Sequence, residues 1–293
     1  MSAPKSHVVA APDGRKLHVR DYGPRSAPAL PVVCLAGLAR SSLDFEPLAS
    51  ALAGDPGEPR RVLAPDMRGR GRSDYDPDPA NYNLGTELAD VLAVLAALGV
   101  DRAVFVGTSR GGILSMLLAA TRPEIVAGCV LNDIGPEIDP RGLMRIKSYV
   151  GKLPQPSSFA DAAQLLRRLF GPQFPRLTDE DWLAYARRTY KDDRGGLVPD
   201  YDVRLATILD GVSFEQPLPA MWPQFDALAA AAPLMVIRGA NSDLLSEATL
   251  AAMRARKPSL VMLEVKDQGH APLLAEADVI ARIAAFVTSC GRP

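Results

Sequence analysis

A serine sits between glycines in Gly107-Thr108-Ser109-Arg110-Gly111, directly after the apolar run 103–106 and directly before the apolar stretch 113–120. A bare G-x-S-x-G match is common by chance, so its setting between a buried strand and a helix is what gives it meaning. There a sharp turn lifts the hydroxyl above the sheet, and side chains at the glycine positions would collide with the adjacent strand and helix. A serine hydroxyl is too weak an acid to attack at neutral pH and needs a base. Of the three histidines, His7 and His18 lie in the N-terminal strands, ahead of the first core crossover. His270 instead follows the apolar run 260–265, in the loop Asp-Gln-Gly-His-Ala-Pro. That is the carboxyl end of a late strand, the edge where catalytic groups gather in open α/β sheets. Ser109 as nucleophile and His270 as base predict acyl transfer at a carbonyl carbon. A serine attacking an alkyl carbon would instead leave an ether that water does not release.

An orienting carboxylate should fix the imidazole tautomer, and the chain order expected is serine, acid, histidine. Asp243, in the loop Gly-Ala-Asn-Ser-Asp after the strand 234–238, fits and is favoured on strand order. Asp133, after the strand 126–131, is the rival, with a plainer reading as a helix-capping loop residue. Asp267 lies only three residues before His270, too tightly tied to the same loop. An oxyanion requires two backbone N–H donors. Arg110, the residue after the nucleophile, supplies one. Leu38, at the end of Cys34-Leu35-Ala36-Gly37-Leu38, is the expected second. The Arg110 side chain itself is read as salt-bridged or solvated.

The elements that must hold these residues alternate strand and helix, the pattern of a mostly parallel sheet covered on both faces. Short apolar runs at 30–35, 61–65, 103–106 and 126–131 read as buried strands, and 84–98 as an amphipathic helix. The rhythm breaks at Gly135. From there to about residue 223 the chain is richer in charge, proline and aromatics, with helical stretches at 159–170 and 179–190 and no obvious buried strand. Strand–helix alternation resumes after Pro233. Trp182, Tyr185, Tyr190, Trp222 and Phe225 are read mainly as packing for this insertion and secondarily as an acyl pocket.

With 293 residues, 47% of them hydrophobic and 23% charged, the chain suits one large soluble α/β domain carrying an insert. A net charge of -1 gives no field toward nucleic acid or anionic membrane. No run approaches a membrane span and no apolar leader opens the chain. Three scattered cysteines form no disulfide framework, so a reducing cytoplasm is the expected setting. They and the three histidines form no ligand cluster, so no metal is expected. Gly69-Arg70-Gly71-Arg72 hints at dinucleotide binding, but Asp74 stands where the third glycine belongs.

Four segments taken in order resemble the α/β-hydrolase fold superfamily over nearly the whole chain. They are the elbow Gly-Thr-Ser-Arg-Gly-Gly, the loop Pro-Asp-Met-Arg-Gly-Arg-Gly-Arg-Ser-Asp at 65–74, the acid loop 238–243 and the histidine loop 267–272. The branch most similar is that of capped serine esterases and lactonases, cofactor-free haloperoxidases and C–C bond hydrolases. The resemblance implies an α/β-hydrolase core at 1–135 and 223–293, and a helical cap at 136–222 inserted after the sixth core strand. It also implies a structural role for the 65–74 loop and a small-molecule ester or lactone as substrate. No cofactor, nucleic acid or membrane partner is implied. The alternatives are a C–C bond hydrolase of diketone-like compounds and a ligand-binding receptor on the same fold. One departure stands out: Ala36 occupies the place where the family's oxyanion loop usually has histidine. The donor there is a backbone group, so the chemistry is expected to survive.

Overall fold

Short runs of β-branched and aliphatic residues, too short for helices, build the centre of the molecule. The computed structural model describes residues 3–212 and 218–291; residues 1–2, 213–217 and 292–293 lie outside the described residues. The chain opens with a hairpin, β1 (Lys5–Ala10) and β2 (Lys16–Tyr22), followed by β3 (Val32–Leu35), α1 (Glu46–Ala53) and β4 (Val62–Pro65). Next come α2 (Leu84–Ala97), β5 (Ala103–Thr108), α3 (Arg110–Thr121) and β6 (Val126–Asn132). The inserted segment carries α4 (Pro140–Tyr149), α5 (Phe159–Phe170), α6 (Asp179–Thr189), β7 (Tyr190–Asp193) and β8 (Gly196–Pro199). The chain returns through α7 (Trp222–Ala231), β9 (Leu234–Gly239), α8 (Glu247–Arg256), β10 (Val261–Val265) and α9 (Ala277–Ser289).

Eight strands form one sheet in the order β1-β2-β4-β3-β5-β6-β9-β10. The pairs β1–β2 and β2–β4 are antiparallel and the rest parallel, which makes this the mostly parallel α/β hydrolase architecture. Alternation along each strand splits the core in two. Val33, Leu35 and Phe105 face α2, α3 and α7, whereas Val32, Cys34, Val104 and Val106 face α1 and α9. Both faces are dry at the central strands, as a parallel sheet between helices requires, while the edge strands β1 and β10 are largely exposed.

The insertion has an apolar cluster of its own, with Leu166, Phe170, Trp182, Ala186 and Leu197 at its centre. Thr178 and Asp181 form a reciprocal capping box that starts α6, the signal carried by Thr-Asp-Glu-Asp. The β7–β8 hairpin has no hydrophobic alternation to announce it. It turns at Arg194 and Gly195, both at positive φ, the geometry that suits a tight hairpin. The 65–74 loop ties the insertion to the core. Gly71 N–H donates to Asp200 C=O at 2.9 Å, and Asp202 N–H donates to Gly69 C=O at 2.7 Å. Tyr82 Oη donates to Asp202 Oδ2 at 2.6 Å.

Candidate active site

Ser109 is the hinge between β5 and α3, with φ 51° and ψ -115°, a conformation most residues avoid. The glycines around it are there for space. A Cβ on Gly111 would stand 2.0 Å from the Leu35 carbonyl oxygen of β3, and one on Gly107 would stand 2.6 Å from the Gly111 backbone. The helix can therefore approach the sheet closely enough to hold Ser109 at its rim. Asn132, buried at the end of β6, donates through Nδ2 to Thr108 Oγ1 and to Pro272 C=O, at 3.1 and 2.9 Å. That single amide clamps the serine strand to the histidine loop.

His270 Nε2 accepts from Ser109 Oγ at 3.0 Å, and its Nδ1 donates to Asp133 Oδ2 at 2.8 Å. The carboxylate fixes the tautomer, since it can only accept. Asp133 is fully buried and sits at φ 55° just past β6. Its Oδ1 accepts from Gly239 N–H at 2.8 Å and its Oδ2 also accepts from Ser242 Oγ at 2.6 Å.

Asp243, the acid expected from strand order, does not reach the imidazole's hydrogen-bonding nitrogens. Its carboxylate takes a two-pronged pair from Arg145 of α4, Nε to Oδ2 at 2.7 Å and Nη2 to Oδ1 at 2.8 Å. Burial pushes that carboxyl up, but Arg145 more than offsets it and holds it below the usual carboxylate range. The reason for the correction lies in sheet order. β6 is the immediate neighbour of β5, while β9 is one strand farther out. The β9 loop contributes instead through Gly239 and Ser242, which support Asp133. Ser242 carried no sequence signal beyond lying in that loop. Asp267 is directed elsewhere, toward Arg176 at 3.5 Å.

The N–H groups of Leu38 and Arg110 make no hydrogen bond among the described residues. Leu38 and Gly37 border the same cavity as Ser109, and Arg110 opens α3, so a helix N-terminus faces the hydroxyl. Buried charges hold both donor segments. Arg70 Nε donates to Leu38 C=O at 2.8 Å, and Glu87 accepts from Arg70 Nη1 at 2.7 Å and from Arg110 Nε at 2.6 Å. The Arg110 side chain is thus salt-bridged. Burial pushes the Glu87 carboxyl up, yet the two arginines leave it below the usual range.

The cavity that Ser109 borders is also lined by Ile146, Tyr149, Val150, Leu153, Phe170 and Tyr185 of the segment between β6 and α7. An activated hydroxyl, a base with a fixed tautomer and two free N–H groups beside an apolar lining suit attack on a carbonyl carbon.

A family model for the alpha/beta hydrolase fold matches residues 31–277. The chain belongs to the alpha/beta hydrolase fold family. The 3-hydroxybutyrate-oligomer hydrolase of Cupriavidus necator is 34% identical to this hydrolase over 98% of this chain and 99% of that protein. A crystal structure of an alpha/beta hydrolase from Novosphingobium aromaticivorans superposes with TM-score 0.89 at 42% identity, covering 98% and 99% of the two chains. The 2-(acetamidomethylene)succinate hydrolase of Mesorhizobium japonicum is 27% identical over 87% of this chain and 84% of its own.

Other features of this α/β hydrolase have structural duties. Ser6, His18 and Asp66 form a second line, 2.5 Å from Ser6 Oγ to His18 Nε2 and 2.8 Å from His18 Nδ1 to Asp66 Oδ2. None of the three borders the Ser109 cavity, and they fasten the first hairpin to the 65–74 loop. In that loop a Cβ at Gly69 would stand 2.7 Å from the Tyr82 ring and one at Gly71 2.5 Å from the Asp66 carboxyl, so its glycines serve packing. Of the five aromatics considered from sequence, Tyr185 borders the cavity. Trp182, Tyr190 and Phe225 are buried in apolar clusters, and Trp222 donates to Glu137 at 2.7 Å. Among the described residues no three potential ligands converge on a metal site, and no helix is long and apolar enough to cross a membrane.

Proposed function

We propose that this hydrolase cleaves carboxylic esters through an acyl-serine at Ser109. The observation that carries the reading is the unbroken line Ser109–His270–Asp133, at 3.0 and 2.8 Å, beneath a mainly apolar cavity. His270 Nε2 takes the Ser109 proton as Oγ bonds to the carbonyl carbon. The imidazolium keeps its Nδ1–H on Asp133, and the oxyanion is received by the N–H groups of Leu38 and Arg110. His270 then gives its proton to the departing alkoxide, leaving an acyl-serine and an alcohol. Water, deprotonated by the same nitrogen, releases the acid and restores the serine. A lactone reacts by the same steps, with the alcohol still attached to the acyl chain.

The likeness to a 3-hydroxybutyrate-oligomer hydrolase along almost the full length supports short linear oligoesters of hydroxy acids as substrates. The test is a set of p-nitrophenyl esters, lactones and a 3-hydroxybutyrate dimer, assayed with wild type and Ser109→Ala. Wild type should turn over at least one class, and Ser109→Ala should lose about 10⁴-fold or more in kcat. If wild type matches buffer throughout, ester hydrolysis is the wrong reaction.

A further inference from the structure

Besides His270, the charged side chains bordering the cavity are Arg40, Asp44 and Arg188. The first two satisfy each other. Arg40 donates from Nε and Nη2 to the Asp44 carboxylate at 2.7 and 2.5 Å, and from Nη1 to Thr189 Oγ1 at 2.6 Å. Its guanidinium also lies over the Tyr185 ring, 4.5 Å from the centroid. The nearby Asp243 carboxylate is taken by Arg145. Arg188, in the last turn of α6, is different. Among the described residues its side chain makes no ion pair and no hydrogen bond, and its Nε is buried without a partner.

Of the arginines and the aspartate that border the cavity, Arg188 is the one without an ion-pair partner among the described residues. Its Nε is enclosed, and the two Nη groups, which are not fully buried and have no partner among the described residues, are left to donate to an acceptor in the cavity. The planar fork of arginine matches a carboxylate with two parallel hydrogen bonds. Arg188 also borders an outer groove whose lining includes the carboxylates of Asp181, Glu264, Asp267, Glu276 and Asp278, none of them within ion-pair distance of it. It thus spans the wall between cavity and solvent, where a carboxylate keeps part of its hydration.

We propose that Arg188 anchors a free carboxylate at the far end of the ester substrate, so that this enzyme prefers acidic esters to neutral ones of equal length. The proposal rests on the ester-hydrolase reading and names its substrate class. A half-ester of a dicarboxylic acid carries such a carboxylate at the far end of its acyl chain. Arg188 would be a specificity residue acting on the substrate's distal charge, some way from the reacting carbonyl.

The experiment compares p-nitrophenyl hemiglutarate with p-nitrophenyl valerate, a neutral ester of the same chain length. Wild type should favour the acidic ester in kcat/KM. Arg188→Gln should lower the acidic-to-neutral ratio by roughly tenfold to a hundredfold, mostly through KM, and Arg188→Lys should keep part of the preference. Arg187→Gln, an exposed neighbour on the same helix stacked over Phe159, should leave the ratio as in wild type. A second readout is independent of turnover: Ser109→Ala should bind hemiglutarate ester more tightly than valerate ester by calorimetry, and adding Arg188→Gln should abolish the difference. Equal binding of the two esters, or a preference that survives Arg188→Gln, overturns the proposal. Absence of hydrolysis with the binding preference intact would instead overturn the assigned reaction and leave the anchor standing.

Discussion

Asp133 Oδ2 accepts two hydrogen bonds at once, from His270 Nδ1 and from Ser242 Oγ, while Oδ1 accepts from Gly239 N–H. A carboxylate held from three directions cannot swing away when the imidazole becomes charged, which is what an orienting group must resist. An amide at this position places a donor or a neutral acceptor against Nδ1 and favours the wrong tautomer. Asp133→Asn should therefore lose about 10³- to 10⁴-fold in kcat, whereas Asp243→Asn should stay within about tenfold of wild type. Steady-state kinetics on any accepted ester separates the two, and a reversed order would return the acid's role to residue 243. The meeting of Ser109 and His270 was legible because each has a local signature, a glycine-flanked elbow and a loop after a late strand. Which carboxylate meets the imidazole was not. Two aspartates follow two successive parallel strands in the same chain order, and only the lateral order of the sheet decides which one faces the imidazole.

The N–H groups proposed to receive the oxyanion belong to two elements far apart in sequence, the loop after β3 and the first turn of α3. Glu87 on α2 joins them, through Arg70 to the Leu38 carbonyl and through its pair with the Arg110 side chain. Its side chain is 0% exposed, so the network is shielded from solvent and salt. Removing the charge strands two arginines, a change that costs about 3–5 kcal/mol where a buried pair is broken. Glu87→Gln should accordingly lower stability and impair turnover by loosening the Leu38 loop. The pH dependence has a definite sign. Because the folded carboxyl lies below its ordinary value, its contribution is present above that value and is lost as pH falls through the lowered one. Denaturant titrations should thus show the largest gap between wild type and Glu87→Gln near neutrality, and a shrinking gap below about pH 4. A gap that widened in acid would refute this. Nothing in the sequence marked Glu87, and Arg70 was noted only as part of the 65–74 loop, since a buried ion network is a long-range property with no periodicity of its own.

Across the whole molecule, the sheet and its flanking helices were readable because burial imposes a period on the chain. Runs buried on both faces became strands, and three- and four-residue spacing became helices. The β7–β8 hairpin escaped because a small polar ribbon has no such constraint, and the seam between the 65–74 loop and the insertion escaped because it is built from backbone groups that any sequence possesses. The order β5-β6-β9 has one more consequence. The loop after β9 sends Ser242 to the same Asp133 oxygen that holds His270, so the architecture offers two neighbouring seats for a single negative charge, of which this chain fills one. Moving the charge is then a matter of exchanging side chains across the gap. Asp133→Ser alone should be crippled, and Asp133→Ser combined with Ser242→Asp should regain at least about tenfold in kcat, a coupling that two unrelated positions would lack. Such a transplant would make the tenancy of the acid a feature that descendants of one scaffold can trade between strands without rebuilding the rest.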